Sequence, residues 1–189
     1  MRFYEFEAKR LLAMQGIATP KGGVATTPEE AERIAAEAGG PVVLKSQVLA
    51  GGRMKAGGVK FADTPSQAKD AAAEILALEI RGQLPRGVLV EAKAPVRQEY
   101  YLDITYDALA KSPVAIFSDM GGIDIEDVAE QHPDHVAKSH FSSLFPLSDF
   151  KMKELVAALP PKADSPSAAA IGGAQLTTLT GVAARLARA

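Results

Sequence analysis

The sequence predicts a mixed α/β protein whose first half folds as a β-α-β-β-α-β unit. Thr27 and Thr64 are each followed by proline and, three residues on, by Glu30 or Gln67, which is the signal of a capped helix start. Apolar, β-branched runs typical of strands flank these helices. Between Gly23 and Ala92 the six elements follow the ferredoxin-like, split-βαβ order. The alternative is a pair of unrelated α/β units.

The elements of the first half follow in order along the chain. "FYEFEAKRLLAMQG" predicts a helix that ends at Gly16, and a short strand follows near Gly23 to Thr26. Two glycines end the first capped helix, and "PVVLKSQV" predicts the next strand. A glycine-rich loop leads into the strand "GVKFAD", the second capped helix and the strand "RGVLVEA".

The second half is predicted to contain three strands and three helices. "EYYLDITYDA" and "SPVAIFSDM" predict neighbouring strands joined by a turn at Leu109 to Pro113. "IDIEDVAEQHP" predicts a short acidic helix, and "HVAKSHFSS" predicts a strand. "SDFKMKELVAALP" predicts a helix capped by Ser148 or Asp149. A loop, "PPKADSPS", then leads to a closing helix that three glycines weaken.

Composition excludes several classes of function. With 47% hydrophobic and 23% charged residues, the 189-residue chain reads as an ordinary globular protein. The net charge of -2 gives no general attraction to nucleic acid or to an anionic membrane. The absence of cysteine excludes disulfides, thiolate metal sites and a cysteine nucleophile. No apolar run approaches a signal peptide or the ~18 residues of a membrane span, so we expect a cytoplasmic protein.

The stretch "LKSQVLAGGRMKAGGVKF" raises the question of a phosphate-binding loop. Gly52 and Gly57 have the separation of a Walker loop, but Gly58 and Val59 stand where lysine and serine or threonine are required. The dinucleotide fingerprint G-x-G-x-x-G is also absent. Because a strand follows rather than a helix, the loop is predicted to lie at the tip of a hairpin.

A hairpin tip of this composition can still bind phosphate. Glycines let main-chain amides turn toward an anion, and Arg53 and Lys55 add charge at the tip. Lys45, within the preceding strand, can reach inward to the same anion, since a cation in an apolar strand is costly unless it is paired or faces a site. The alternative is that these cations, with Lys60, are solvated charges on a sheet edge.

Two carboxylates suggest a nucleotide rather than a simple anion. Glu91 ends the strand "VLVEA", and Glu99 follows after the proline-containing link "AKAPVRQ", a plausible hinge. A carboxylate there can accept hydrogen bonds from ribose hydroxyls, and the hinge backbone can read an adenine edge. Taken singly, each is also explained as an ordinary acidic surface residue. The chain's three histidines are interpreted as polar surface or strand residues.

Four segments together resemble a known family: "FYEFEAKRLLAMQGIATPKG", "VVLKSQVLAGGRMKAGGVKF", "VLVEAKAPVRQEYYL" and "SDMGGIDIEDVAEQHP". In order and spacing they are similar to the N-terminal ATP-grasp region of the succinyl-CoA synthetase (ADP/GDP-forming) β subunit. The resemblance spans the chain and is weakest over Leu144 to Ala170. It implies an α/β (α+β) ATP-grasp fold, with a ferredoxin-like lid lobe at 19–93 and an incomplete second lobe at 94–189. A helix at 1–18 is expected to pack on the second lobe.

The resemblance also implies an activity. The family's acid–thiol ligases form acyl-CoA from a carboxylic acid, CoA and ATP or GTP, through a phosphohistidine on a separate α subunit that also binds CoA. The three histidines here, His132, His135 and His140, do not match that phosphohistidine. "GGIDIEDVAE" argues against an ATP-grasp ligase of another pathway. The alternative is a short, non-catalytic paralogue that binds nucleotide, docks on an α subunit, or does both.

Site residues carry over from the family position by position. The expected nucleotide contacts are Lys45 on the phosphates, Gly52, Arg53 and Met54 in the phosphate loop, Glu91 and Ala94 near the base, and Glu99 on the ribose. Met54 departs from the family's usual glycine, and Leu49 from a common histidine. The family's Mg²⁺ ligands are expected beyond Ala189, so the resemblance favours a fragment of a longer enzyme, inactive when isolated.

Overall fold

The computed structural model describes residues 2–145, 147–159, 171 and 173–187. The chain forms two compact units, Met1–Met14 with Ala18–Pro95, and Gln15–Ile17 with Val96–Ala189. Each has its own hydrophobic core and its own antiparallel sheet. Over the described ranges, no helix combines the length and the apolar character that crossing a bilayer requires.

The first unit contains the six predicted elements in the predicted order, preceded by the N-terminal helix. They are α1 (Glu5–Met14), β1 (Gly22–Ala25), α2 (Pro28–Ala38), β2 (Val42–Ser46), β3 (Val59–Ala62), α3 (Pro65–Leu76) and β4 (Val88–Ala92). A mixed α/β fold is therefore confirmed for this half of the chain.

Both predicted helix caps form. The Thr27 hydroxyl accepts a hydrogen bond from the Glu30 amide at 3.2 Å, and the Glu30 carboxylate accepts one from the Thr26 amide at 2.7 Å. Thr64 and Gln67 repeat the arrangement at the start of α3. These local bonds satisfy amides that a helix start otherwise leaves unpaired, which is why the two starts can be read from sequence.

The sheet order differs from the ferredoxin-like arrangement. The strands lie in the order β1-β4-β2-β3, and every neighbouring pair is antiparallel. In a ferredoxin-like sheet the first and third strands are central, whereas here β2 and β4 are. These two strands, "VVLKS" and "VLVEA", are the most apolar of the four and are buried along most of their length. Central positions suit them because a central strand can be covered on both faces.

The core of the first unit lies between the sheet and helices α2 and α3. The helices contribute Ala31, Ile34, Ala35, Ala68, Ala72 and Ile75, and the strands contribute Val42, Leu44, Val88 and Val90. Burying one such large aliphatic side chain stabilises the fold by roughly 1.5–3 kcal/mol. Because side chains alternate along a strand, Lys45 of β2 points to the opposite face.

Helix α1 lies on that opposite face. Its amide at Phe6 donates to Gln47 Oε1 at 3.2 Å, and Lys9 reaches Glu91 of β4. Its residues group with the first unit, where ion pairs that the sequence pattern did not indicate join α1 to the sheet. The expected packing of this helix on the second lobe stays a prediction.

The second unit is a three-stranded sheet with helices. It contains β5 (Tyr101–Asp107), β6 (Ser112–Ser118), α4 (Ile125–Gln131), β7 (Val136–His140), α5 (Asp149–Ala157) and α6 (Gly173–Leu186), with sheet order β5-β6-β7. Ser148 rather than Asp149 caps α5, since its hydroxyl accepts from the Lys151 amide at 3.3 Å. The predicted loop "PPKADSPS" and Gly172 lie outside the described residues.

Candidate phosphate site

The glycine loop between β2 and β3 closes on itself. The amides of Ala56, Gly57 and Gly58 donate to the carbonyls of Gly52, Met54 and Arg53 at 3.1, 3.0 and 2.8 Å. These three amides are therefore used within the loop and do not point at an anion. Among the residues described, the amides of 51–54 make no such backbone bond, which makes them candidate main-chain donors for an anion.

Gly58 fixes the end of the loop against the sheet. Its carbonyl accepts from the Ser46 amide at 2.7 Å. A Cβ at this position would lie 2.5 Å from Ser46 Oγ and 2.7 Å from Ile80 Cδ1, which is closer than real contacts allow. Close packing thus requires glycine at position 58. At least this glycine of the loop serves the packing of the fold rather than the binding of a ligand.

Lys45 is paired rather than solvated. Its Nζ lies 2.8 Å from Glu5 Oε1 and 3.1 Å from Glu91 Oε2, and its side chain is 25% exposed. The strand register places Val43 opposite Glu91 and Lys45 opposite Leu89, so Lys45 and Glu91 share one face of the sheet. The reading of Lys45 as a solvated edge charge does not fit this geometry.

Arg53 contacts the same group of charged side chains, because it pairs with Glu5 of the N-terminal helix. Its Nη1 donates to Glu5 Oε2 at 2.9 Å and to the Ser46 carbonyl at 3.2 Å. Lys9 Nζ lies 2.5 Å from both carboxylate oxygens of Glu91 and 3.1 Å from Glu5 Oε1. We call these five residues the Glu5 network: Glu5, Lys9, Lys45, Arg53 and Glu91.

Ion pairing favours the charged forms of Glu5 and Lys45 within the Glu5 network. Burial alone would raise the pKa of the Glu5 carboxyl, but hydrogen bonds and charge from Lys45 and Lys9 outweigh it and lower the pKa to about 2. Burial would lower the pKa of Lys45, yet Glu5 and Glu91 raise it above its usual value. By residue type, the network combines three basic side chains with two acidic ones.

The other expected contacts are more exposed. Gly52 adopts a left-handed backbone with φ of 78°, Met54 at the loop tip is 71% exposed, and Ala94 lies in the exposed segment after β4. Glu99 belongs to the second unit, where its carbonyl accepts from the Gly121 amide at 3.1 Å. The structure thus brings Lys45, Arg53 and Glu91 into one network.

Comparison with known proteins identifies the family. The sequence profile described as an ATP-grasp domain matches residues 2–179. The chain belongs to the ATP-grasp domain family. The expected likeness to the N-terminal region of succinate–CoA ligase β subunits is also confirmed.

Three relatives illustrate that likeness. The chain is 44% identical over 155 residues to the β subunit of the ADP-forming succinate–CoA ligase of Methanothermobacter thermautotrophicus, covering 82% of this chain and 42% of that protein. For ADP-forming subunit β 1 of Archaeoglobus fulgidus the identity is 46% over 154 residues, covering 82% and 40%. For the GDP-forming subunit β of Thermus thermophilus it is 43% over 156 residues, covering 82% and 41%. The ATP-grasp chain spans about two-fifths of their length.

Solved structures share the fold at lower identity. A dinucleotide-forming acetyl-coenzyme A synthetase 1 of Ca. Korarchaeum cryptofilum superposes with a TM-score of 0.70 at 22% identity, covering 99% of this chain and 79% of that chain. The ATP citrate lyase of Methanothrix soehngenii gives a TM-score of 0.64 at 24% identity, covering 99% and 43%. These likenesses support the ATP-grasp architecture.

Sequence reasoning missed Glu5 and Lys9 of this ATP-grasp chain. They stand four residues apart on α1, a spacing at which Glu–Lys pairs commonly lie on an exposed helix surface. Their partners are 40 to 82 residues away along the chain. The residue types along α1 therefore gave no signal that distinguishes these two from solvated surface charges.

The histidines also differ in part from expectation. His140 lies in β7 and pairs with Asp107 at 2.9 Å on an exposed surface. His135, however, is only 13% exposed, and its Nδ1 lies 2.7 Å from Asp119 Oδ1. His135 is thus a partly buried residue next to β7, and its pair with Asp119 joins the turn before β7 to the residue that follows β6.

The described ranges offer no cluster for a metal ion. They contain no group of three or more histidine, aspartate or glutamate side chains with suitable placement. The carboxylates of the Glu5 network are paired with cations instead. These residues do not fit a Mg²⁺ site.

Proposed function

We propose that this chain is the nucleotide-binding part of the β subunit of a succinyl-CoA-synthetase-like acid–thiol ligase. The complete protein would form acyl-CoA from a carboxylic acid, CoA and ATP or GTP. The proposal is supported by membership of the ATP-grasp family and by 43–46% identity to three succinate–CoA ligase β subunits. The observation that carries it is the pair of cations, Lys45 and Arg53, held beside the glycine loop.

The contribution of this chain would be charge and position. Phosphoryl transfer needs little covalent chemistry from the protein, since catalysis rests on orienting the phosphates and stabilising their charge. Lys45 is kept protonated by its carboxylate neighbours, and Arg53 offers a planar fork of donors suited to phosphate oxygens. The amides of 51–54 add neutral donors at the loop.

Nucleotide recognition outside the phosphates is assigned to three further residues. The carboxylate of Glu91 is 2% exposed and engaged by Lys9 and Lys45, and its backbone is paired with strands on both sides. We therefore assign to Glu91 a supporting position near the base, and the main-chain contact with the base to Ala94. Glu99 is exposed. We assign its carboxylate to the ribose, whose hydroxyls can donate hydrogen bonds to it.

The phosphoryl acceptor would come from a partner. We assign it to a histidine of an α subunit that also binds CoA, as the resemblance implies. In this arrangement the described chain binds and orients the nucleotide, and the partner supplies the nucleophile. Mg²⁺ bound with the nucleotide would neutralise phosphate charge, and none of the described residues is assigned to it.

Calorimetric titration with nucleotide tests this function. The chain should bind ATP weakly and with little dependence on Mg²⁺, and GTP should be titrated in parallel. Lys45→Ala should weaken binding by about tenfold or more, the scale of one charge-assisted contact. Lys69→Ala is the control, because Lys69 pairs with Glu29 on exposed helices of the same unit. No binding of either nucleotide, or an unchanged affinity in Lys45→Ala, would contradict the proposal.

A further inference from the structure

The carboxylate of Glu5 contacts both cations of the candidate phosphate site, Lys45 and Arg53. Glu5 Oε1 lies 2.8 Å from Lys45 Nζ, and Glu5 Oε2 lies 2.9 Å from Arg53 Nη1. Two oxygens of one anion, each on a different cation, are what a phosphate group would present to the same pair. Glu5 therefore stands where an external anion would bind.

The partners of Glu91 and Arg53 are in part independent of Glu5. Lys9 Nζ lies 3.1 Å from Glu5 Oε1, but its shorter contacts, at 2.5 Å, are with both oxygens of Glu91. The buried Glu91 carboxylate therefore keeps a cation when Lys45 binds another anion. If the Glu5 side chain turned away, Lys45 would keep its contact with Glu91 and Arg53 its hydrogen bond to the Ser46 carbonyl.

Glu5 can leave this position without loss of helix α1. It is the first residue of the helix, and its side chain, with three rotatable bonds, is 19% exposed. The helix start is held separately, because the Glu7 carboxylate accepts from the Tyr4 amide at 3.0 Å and the Tyr4 carbonyl accepts from the Ala8 amide at 3.0 Å. A rotation of one side chain is enough to expose the two cations.

We propose that Glu5 is an internal anion of the phosphate site, which a ligand must displace from Lys45 and Arg53 in order to bind. This rests on the proposed function. Displacing Glu5 breaks the same two contacts for every ligand, so it lowers the affinity for each ligand by a similar factor. An ion such as inorganic phosphate gains little by replacing a carboxylate that is already well paired, whereas a polyphosphate chain brings further charges to the site and binds despite this cost.

The test compares three anions on three proteins. Wild type, Glu5→Gln and Glu74→Gln are titrated by calorimetry with ATP, inorganic triphosphate and inorganic phosphate. Glu5→Gln should bind all three more tightly, by roughly tenfold, since the carboxylate that competes for Lys45 and Arg53 is removed. The gain should be of similar size for the three anions, because each of them must displace the same two contacts. Glu74→Gln changes the net charge equally but lies on α3 and pairs with Lys60, and its affinities should match wild type.

The outcomes separate this inference from the function on which it rests. If wild type binds ATP and a folded Glu5→Gln binds it equally or more weakly, the inference is overturned and the nucleotide function stands. If neither protein binds ATP or triphosphate, both are overturned. Should Glu5→Gln fail to fold, Glu5→Asp replaces it, because a side chain shorter by one methylene cannot bridge both cations. Its affinities should rise by a smaller factor, and affinities equal to wild type would overturn the inference.

Discussion

Lys9 and Glu91 form a buried ion pair between the N-terminal helix and a central strand. Lys9 Nζ lies 2.5 Å from each carboxylate oxygen of Glu91, whose side chain is 2% exposed. A charge this deeply buried is tolerated only when a partner compensates for its lost hydration. The pair therefore holds α1 against the sheet that carries Lys45, so that Glu5 of the same helix lies next to Lys45.

Removing the cation of this pair should destabilise the fold. In Lys9→Met the buried Glu91 carboxylate keeps only Lys45 at 3.1 Å, and we expect the free energy of unfolding to fall by about 3 kcal/mol, as for other broken buried pairs. Urea denaturation monitored by circular dichroism measures it. Lys69→Met, which breaks an exposed pair, should leave stability nearly unchanged. Equal effects of the two substitutions would show that Glu91 is not held by Lys9.

The Glu5 carboxyl should make stability fall in acid. Its pKa is lowered from 4.5 to about 2 in the folded chain, so the folded state releases this proton more readily than the unfolded state. The resulting stabilisation is present above about pH 4.5 and is lost as the pH falls toward 2. Allowing for solvent screening, we expect it to amount to about 2 kcal/mol.

The variant Glu5→Gln isolates that contribution. Urea unfolding of wild type and variant is measured at intervals from pH 6 to pH 3. Wild type should lose stability relative to the variant over this range, because only wild type carries the Glu5 carboxyl. Parallel pH profiles of the two proteins would mean that Glu5 is not paired in the folded state.

Local signals account for what the sequence predicted. The caps at Thr27 and Thr64 bond to amides three residues away, and the turn between β5 and β6 needs only a few residues to reverse the chain. Such contacts are decided by neighbours in sequence, so residue types alone indicate them. The position of Lys45 within a strand was likewise predicted from the β-branched, apolar residues that precede it.

Contacts between distant segments account for what the sequence did not predict. The central positions of β2 and β4 depend on pairing between strands 46 residues apart, as Val42 and Ser46 show by facing Ala92 and Val88. The part played by Glu5 depends on partners 40 and 48 residues away. Residue types at one position do not reveal such partners, because many carboxylates on helix surfaces are simply solvated.

The glycine loop offers a matched pair of positions that separates packing from binding. A Cβ at Gly58 would meet Ser46 Oγ at 2.5 Å, Ile80 Cδ1 at 2.7 Å and the Arg53 carbonyl at 3.1 Å, whereas at Gly51 it would meet nothing within 4 Å. Gly58→Ala should lower the free energy of unfolding by about 1–3 kcal/mol, the usual cost of overpacking. Gly51→Ala should leave it unchanged or slightly raised, because alanine restricts the unfolded chain.

The same two variants also report on the loop as a ligand site. Gly51 precedes the amides of Gly52 and Arg53 that remain for a phosphate, so a methyl group there should weaken ATP binding without changing stability. Gly58→Ala should lower the apparent affinity for ATP only to the extent that part of the variant protein is unfolded. Both effects are read from thermal unfolding and ATP titration of the same samples. A stable Gly51→Ala protein with wild-type affinity would show that phosphate does not approach the loop at this residue.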